Sequence, residues 1–295
     1  MNKHVFLDNL TARVGALAAG KKKFFSKRID SKPFKKLVDS VKVKVPEITG
    51  EGTIELEAAT AGGPIGIAFR VEKWMGADYP TLIYHHGNNE RPFDYGKNAK
   101  NTFMHIFVKE KAAFNLNLIV VRAPFHDISL KEYQEKITDL ENFMTMIAAS
   151  VKLNEELIRA LPADQKVYTC GISLGGWVTN LHRSLYNSSS VYIPMLAGSF
   201  LGELFLQSAY RRMTGTQALA EADRIRELLN FDAAFSAVET KNVFPLLARY
   251  DQFIEYHVQR ESYNGFEVQT IEAGHVTAAI SANALRNHIC GVVEK

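Results

Sequence analysis

The sequence predicts a mixed α/β sheet, antiparallel where the chain enters it and parallel afterwards, with helices on both faces. Three observations lead there. Between residues 41 and 73, apolar and polar residues alternate with a period of two, between turns rich in glycine. From residue 81 onward, short continuous apolar runs take over and are separated by longer stretches of helical periodicity. One of those runs leads directly into Gly171-Ile172-Ser173-Leu174-Gly175, and a helical pattern follows it. Alternation marks strands with one dry and one wet face, whereas uninterrupted apolar strands belong to a parallel sheet covered on both sides.

The elements follow in order. The opening MNKHVFLDNLTARVGALAAGKKK reads as an amphipathic helix with Phe6, Leu10, Val14 and Leu17 on one stripe. Asp8 and Arg13 interrupt its apolar stretch, and residues 14–19 are too short for a signal-peptide core. Residues 21–36, KKKFFSKRIDSKPFKK, hold eight Lys or Arg against one Asp, a net of +7, which leaves −4 for the rest of the chain. Phe24, Phe25 and Phe34 are interleaved with those charges. The segment reads as a solvated linker into the fold, or as an arm for anionic lipid or an acidic partner. Residues 1–40 are therefore expected to be a basic N-terminal extension, and 41–295 the main domain.

VKVKVPE, TIELE and IGIAFRV form the alternating entry, with Gly50, Gly52, Gly62, Gly63 and Pro64 in the turns, which predicts an antiparallel meander. The parallel strands are expected in TLIYHH (81–86), NLIVVRA (117–123), KVYTC (166–170), SVYIPML (190–196), VFPLLARY (243–250) and FEVQTIE (265–271). Ser129 and Glu132 form a capping box that starts the helix after residue 129. Residues 198–241 are the longest stretch between strands. Ala218, Ala222, Ile225 and Leu229 make a helical stripe there, preceded by the apolar cluster Phe200, Leu201, Leu204, Phe205 and Leu206. This stretch is either a small helical lid over a pocket or an ordinary core helix.

The composition of the 295 residues is 46% hydrophobic and 23% charged, with a net charge of +3, which excludes a disordered chain or a coiled-coil rod. That charge does not call for a nucleic-acid partner. Cys170 and Cys290 are too few and too far apart for a disulfide framework or a zinc site. No apolar run is long enough to span a bilayer, and a reducing cytoplasm is the expected location.

The chemistry concentrates at Gly171-Ile172-Ser173-Leu174-Gly175-Gly176. A sharp strand-to-helix turn needs small residues around the serine, lifts its hydroxyl above the sheet and sets it at a helix N-terminus, where developing negative charge is favoured. With its strand order, the chain over about residues 40 to 290 resembles the α/β-hydrolases. That resemblance implies a serine, acid, histidine order. Asp251 at the end of VFPLLARY and His275 in the turn after FEVQTIE match it, at intervals of 78 and 24 residues. Glu255 and Asp232 compete for the acid, and His257 for the base. Tyr84-His85-His86-Gly87-Asn88 resembles the family's H-G turn, which implies an oxyanion hole made by the backbone N–H groups of Asn88 and Leu174. The family often has an apolar residue or Gly where Asn88 stands, so the resemblance leaves the role of its side chain open. His85 and His86 lack a carboxylate partner at metal-ligand spacing. Phe125 and His126, in the loop after the next strand, either line the pocket or lie on the surface.

The expected activity is hydrolysis of a carboxylic ester through an acyl-enzyme, with Ser173 as nucleophile, His275 as base and Asp251 orienting the imidazole; amide, thioester or acyl-transfer chemistry would use the same residues. It calls for neither a metal nor an organic cofactor. The apolar cluster at 200–206 leans towards an apolar acyl or alkyl group in the substrate. A non-catalytic binding module on the same fold, and a membrane-surface or polyanion binder acting through the basic segment (residues 21–36), are the alternatives.

Overall fold

The computed structural model describes residues 2–99 and 101–294. Strands β1 (Gly52–Thr60) and β2 (Gly63–Lys73) form a hairpin closed at Gly63, whose φ of +106° suits glycine. They are followed by β3 (Thr81–His85), β4 (Asn117–Arg122), β5 (Val167–Ile172), β6 (Val191–Met195), β7 (Leu246–Ala248) and β8 (Gln269–Ile271). The eight strands make one sheet in the order β1-β2-β4-β3-β5-β6-β7-β8. Pairings among β1, β2 and β4 are antiparallel and all the others are parallel, as the change in hydrophobic pattern predicts.

Helices cover both faces. Leu82, Tyr84, Leu118 and Val120 point into a core with Phe103 and with Leu285 and Ile289 of the C-terminal helix (Ala282–Val293). Their neighbours Ile83, Ile119 and Val121 point the other way, towards Ala149 and Leu153 of the long helix Leu140–Ala160. The elbow helix (Leu174–Leu185) lies on that second side, where Trp177, Val178 and Leu181 join Phe143 and Phe205. The capping box is present, with Ser129 N–H donating to the Glu132 carboxylate at 3.0 Å and Glu132 N–H to Ser129 Oγ at 3.3 Å.

Several local expectations are corrected. VKVKVPE alternates in burial, but it joins the sheet through a single bridge, Lys42 to Ala59. Val41 is buried without a ladder, and Pro46, which has no N–H to offer a neighbour, follows closely. VFPLLARY and FEVQTIE each contribute three strand residues. Pro245 interrupts the first, whose start pairs with β6 only by the bridge between Tyr192 and Val243. The 198–241 stretch is a chain of short helical turns. Its stripe is split between Thr216–Ala220 and Ala222–Leu229, although Ala218, Ile225 and Leu229 are buried.

The N-terminal helix spans Lys3–Ala19 with the opposite orientation to the one its stripe suggests. Phe6, Leu10, Val14 and Leu17 face solvent, and the buried face carries Asp8 and Ala12. The basic segment is laid against the body with its charges outward and its rings inward. Phe24, Phe25, Ile29 and Phe34 are buried, Phe24 N–H donates to Met213 O, and Lys22 and Lys27 both pair with Glu135. No helix among the described residues is long and apolar enough to cross a membrane.

Because Phe25 packs edge-on against both Phe143 and Phe205 with no exposure, it is a core residue. Phe25→Ala should cost about 3–5 kcal/mol in urea unfolding, whereas Phe6→Ser on the exposed stripe should change stability by under about 0.5 kcal/mol.

Candidate active site

Ser173 stands between the last residue of β5 and the first of the elbow helix, with φ +53° and ψ −113°. A non-glycine residue rarely occupies that region and keeps it only when its surroundings over-determine the turn. Here the surroundings are three glycines and a strand. A Cβ on Gly171 would collide with the backbone of Gly175, one on Gly175 with the His85 carbonyl, and one on Gly176 with Ala197 and the Met195 carbonyl. Ser173 N–H donates to Met195 O at 2.9 Å, and its carbonyl accepts from Trp177 N–H at 3.0 Å.

The structure brings Ser173, His275 and Asp251 into one hydrogen-bonded line. Ser173 Oγ is 3.1 Å from His275 Nε2, and His275 Nδ1 is 2.7 Å from Asp251 Oδ2. The carboxylate only accepts, so the proton sits on Nδ1 and the Nε2 lone pair faces the serine. Asp251 Oδ1 also accepts from the N–H groups of Phe253 at 2.8 Å and Ile254 at 2.7 Å. Burial raises the Asp251 carboxyl above its usual range, against the pull of the imidazole and of the Ile254 N–H. Burial alone would lower His275, but the adjacent Asp251 carboxylate carries it above its ordinary value of 6.5.

The competing residues stand outside this line. His257 is exposed, and neither Glu255 nor Asp232 contacts His275 in any hydrogen bond among the described residues.

Asn88 and Leu174 line the same cavity as Ser173 and His275, and their N–H groups have no hydrogen-bond partner among the described residues. The loop bearing Asn88 is held by a network that sequence reasoning left open. Tyr133 O–H donates to Asn88 Oδ1 at 2.5 Å, and His126 Nε2 accepts from Asn89 N–H at 3.4 Å. His86 Nε2 accepts from Ala123 N–H at 3.0 Å, so its Nδ1–H donates to Gly87 O at 2.6 Å. Burial lowers His86 and takes His126 down to about 4, which keeps both rings neutral at neutral pH. His126 is thus neither a surface residue nor part of the cavity lining; it is a buried post behind the loop.

Glu90 was not anticipated. Its carboxylate accepts from Gly87 N–H at 3.2 Å and from Thr102 N–H at 2.8 Å, and burial raises it to about 7. A Glu three residues after an H-G turn is a weak signal that gains meaning only once Thr102 is placed beside it.

The cavity holds about 550 Å³. One wall is apolar and comes from distant parts of the chain: Phe24 from the basic segment, Phe143 and Trp177 from the two helices, and Leu201, Leu204 and Phe205 from the stretch after β6. Asn88, Glu90, Asn101, Thr102 and His105 add a polar side.

A mostly parallel sheet of this order, with a sharp strand-to-helix turn at its C-terminal edge, has the α/β-hydrolase fold. No family model matches the sequence, and none of the curated proteins does. Solved structures do share the fold. Acetyl xylan esterase 1 from Thermoanaerobacterium sp. JW/SL YS485 superposes with a TM-score of 0.55 at 12% identity, over 90% of this chain and 96% of that one. Est1E from Butyrivibrio proteoclasticus gives 0.54 at 14%, over 84% and 100%. The acylaminoacyl peptidase of Pyrococcus horikoshii gives 0.55 at 14%, over 83% of this chain but 42% of that one.

The elbow depends on Gly175 leaving room for the end of β3. Gly175→Ala should destabilise the protein by at least about 1–3 kcal/mol in thermal or urea unfolding, with Ser173 displaced from His275.

Proposed function

We propose that this protein is a serine hydrolase that cleaves carboxylic esters through an acyl-enzyme. The observation that carries the reading is the Ser173–His275–Asp251 line, with Nε2 of His275 as acceptor 3.1 Å from the hydroxyl. In this reading Ser173 attacks the ester carbonyl while His275 takes its proton, and the Asn88 and Leu174 N–H groups receive the oxyanion. His275 then protonates the leaving alkoxide. Water, deprotonated by the same imidazole, releases the acid and restores the serine. Asp251 holds the Nδ1–H tautomer and offsets the imidazolium charge. The esterases among the fold neighbours and the apolar wall support an ester with an apolar acyl group. The peptidase neighbour makes an amide the substrate to test against it.

A fluorophosphonate probe should label Ser173 alone in wild type, and Ser173→Ala should remove the label. Ser173→Ala and His275→Ala should each lower kcat for a p-nitrophenyl ester by at least about 10³-fold, with p-nitroanilides of the same acyl groups turned over far more slowly. Because His275 must be neutral and is raised above 6.5, kcat/KM should fall as pH drops through a value above 6.5. Full turnover by Ser173→Ala would end the reading.

Contact with an anionic lipid surface is a second reading, favoured by the exposed stripe Phe6, Leu10, Val14 and Leu17. The helix that bears it also lends Thr11 and Gly15 to the cavity lining, and between residues 2 and 29 the one acid, Asp8, is buried. The inward phenylalanines of residues 21–36 make this helix, rather than the basic segment, the element that would insert. Vesicles containing phosphatidylserine should sediment wild type more than the triple variant Leu10→Ser, Val14→Ser, Leu17→Ser; equal sedimentation would exclude it.

A further inference from the structure

We propose that Asp8 is a positioning residue of the active site, its buried carboxylate tying the loop that carries Asp251 to the turn that carries His275. This rests on the serine-hydrolase reading above. Asp8 lies on the inner face of the N-terminal helix and is fully buried. One of its oxygens accepts from Gln252 N–H at 3.1 Å and His275 N–H at 2.8 Å, and the other from Val276 N–H at 3.0 Å. Gln252 directly follows Asp251, and His275 and Val276 open the short helix His275–Ala279. A carboxylate is acceptor-only, which suits three converging N–H donors, and the first-turn donors of that helix have no intrahelical partner.

Gly274 gives independent support. Its backbone, at φ −89° and ψ −177°, is open to any residue, so conformation does not explain a glycine there. Asp8 does, because a Cβ at 274 would lie 2.7 Å from its Oδ2 and 3.0 Å from its carboxyl carbon. One turn earlier, His4 Nδ1 meets Thr277 Oγ1 at 2.8 Å and its ring stacks on Tyr250. The helix therefore grips both loops at two levels.

The sheet explains why a clamp has something to do. β7 and β8 have three residues each, and β7 meets β6 through one residue pair, Met195 with Leu246. The acid and the base thus leave the most weakly paired strands, whereas the nucleophile leaves a central one. Asp8 joins the two loops by charge-assisted bonds that the ladder lacks. Its charge also acts on the base. The titratable groups around His275 are Asp251 and Asp8, then Glu90, His105 and Tyr210 across the cavity, with His4 beyond Thr277. Asp8 adds to the upward pull of Asp251 on His275.

Asp8→Asn keeps the size, removes the charge and turns one acceptor into a donor facing an N–H. With a short-chain p-nitrophenyl ester it should lower kcat roughly tenfold or more, leave KM within about threefold, and move the acidic limb of kcat/KM to lower pH. Asp8→Glu should return the limb towards wild type. Gly274→Ala should lower kcat in wild type yet add no further loss in an Asp8→Ala background, since the atoms it displaces are gone. Cooperative thermal unfolding identifies folded variants, and if those at residue 8 do not fold, Gly274→Ala decides by its own kcat and pH limb. A folded Asp8→Asn with wild-type kcat and an unmoved limb overturns the proposal, as does a Gly274→Ala loss that is the same with and without Asp8. Ser173→Ala runs in parallel: turnover that survives it removes the hydrolase reading, whereas an inactive Ser173→Ala beside a fully active Asp8→Asn removes only the positioning role.

Discussion

The strained backbone of Ser173 is the constraint around which the rest is built. Holding a serine at φ +53° costs on the order of 1–3 kcal/mol, and the conformation persists because everything adjacent leaves no alternative. Gly171, Gly175 and Gly176 let β5, β3 and the 197 region close to backbone contact, and Met195 O anchors the serine N–H. The same turn aims Oγ away from the sheet and leaves Leu174 N–H at the start of a helix, where the dipole is positive. The serine hydroxyl thereby faces the cavity, 3.1 Å from His275 Nε2 and beside a backbone donor that has no partner among the described residues.

The remaining groups arrive because parallel strands end on one edge, the usual location of ligand sites in open α/β sheets. β3 delivers the Asn88 loop, β7 the carboxylate and β8 the imidazole. Each arrival has its own brace. Neutral imidazoles and Tyr133 stand behind Asn88, N–H groups of Phe253 and Ile254 fix Asp251, and Asp8 spans the last two loops. The neutrality of His86 and His126 matters, since a protonated His86 could not accept from Ala123 N–H.

The N-terminal forty residues divide by face rather than by segment. Phe24, Phe25, Phe34 and the Asp8 carboxylate point inward, lysines and the stripe of Phe6, Leu10, Val14 and Leu17 point outward, and Lys22 and Lys27 meet Glu135 at the surface. Phe24 forms cavity wall and Asp8 accepts from His275 N–H, so this part of the chain is built into the cavity and its rim.

The change from an antiparallel entry to parallel strands was legible in the sequence, because strand burial, turn glycines and the elbow are local patterns: alternation over 41–73, of which 52–60 and 63–73 are strand, continuous apolar runs from 81, and small residues around Ser173. The weak strands were overestimated, because an apolar run does not reveal that Pro245 removes a ladder donor at the point where pairing would begin. The orientation of the N-terminal helix could not be read either. Its apolar stripe is the stronger pattern, but the face that docks is chosen by partners 240 to 270 residues away, the N–H groups of Gln252, His275 and Val276. Periodicity reports which residues share a face; only the tertiary structure decides which face finds complementary donors, and here an acid that looked like an interruption was the residue with a place to go.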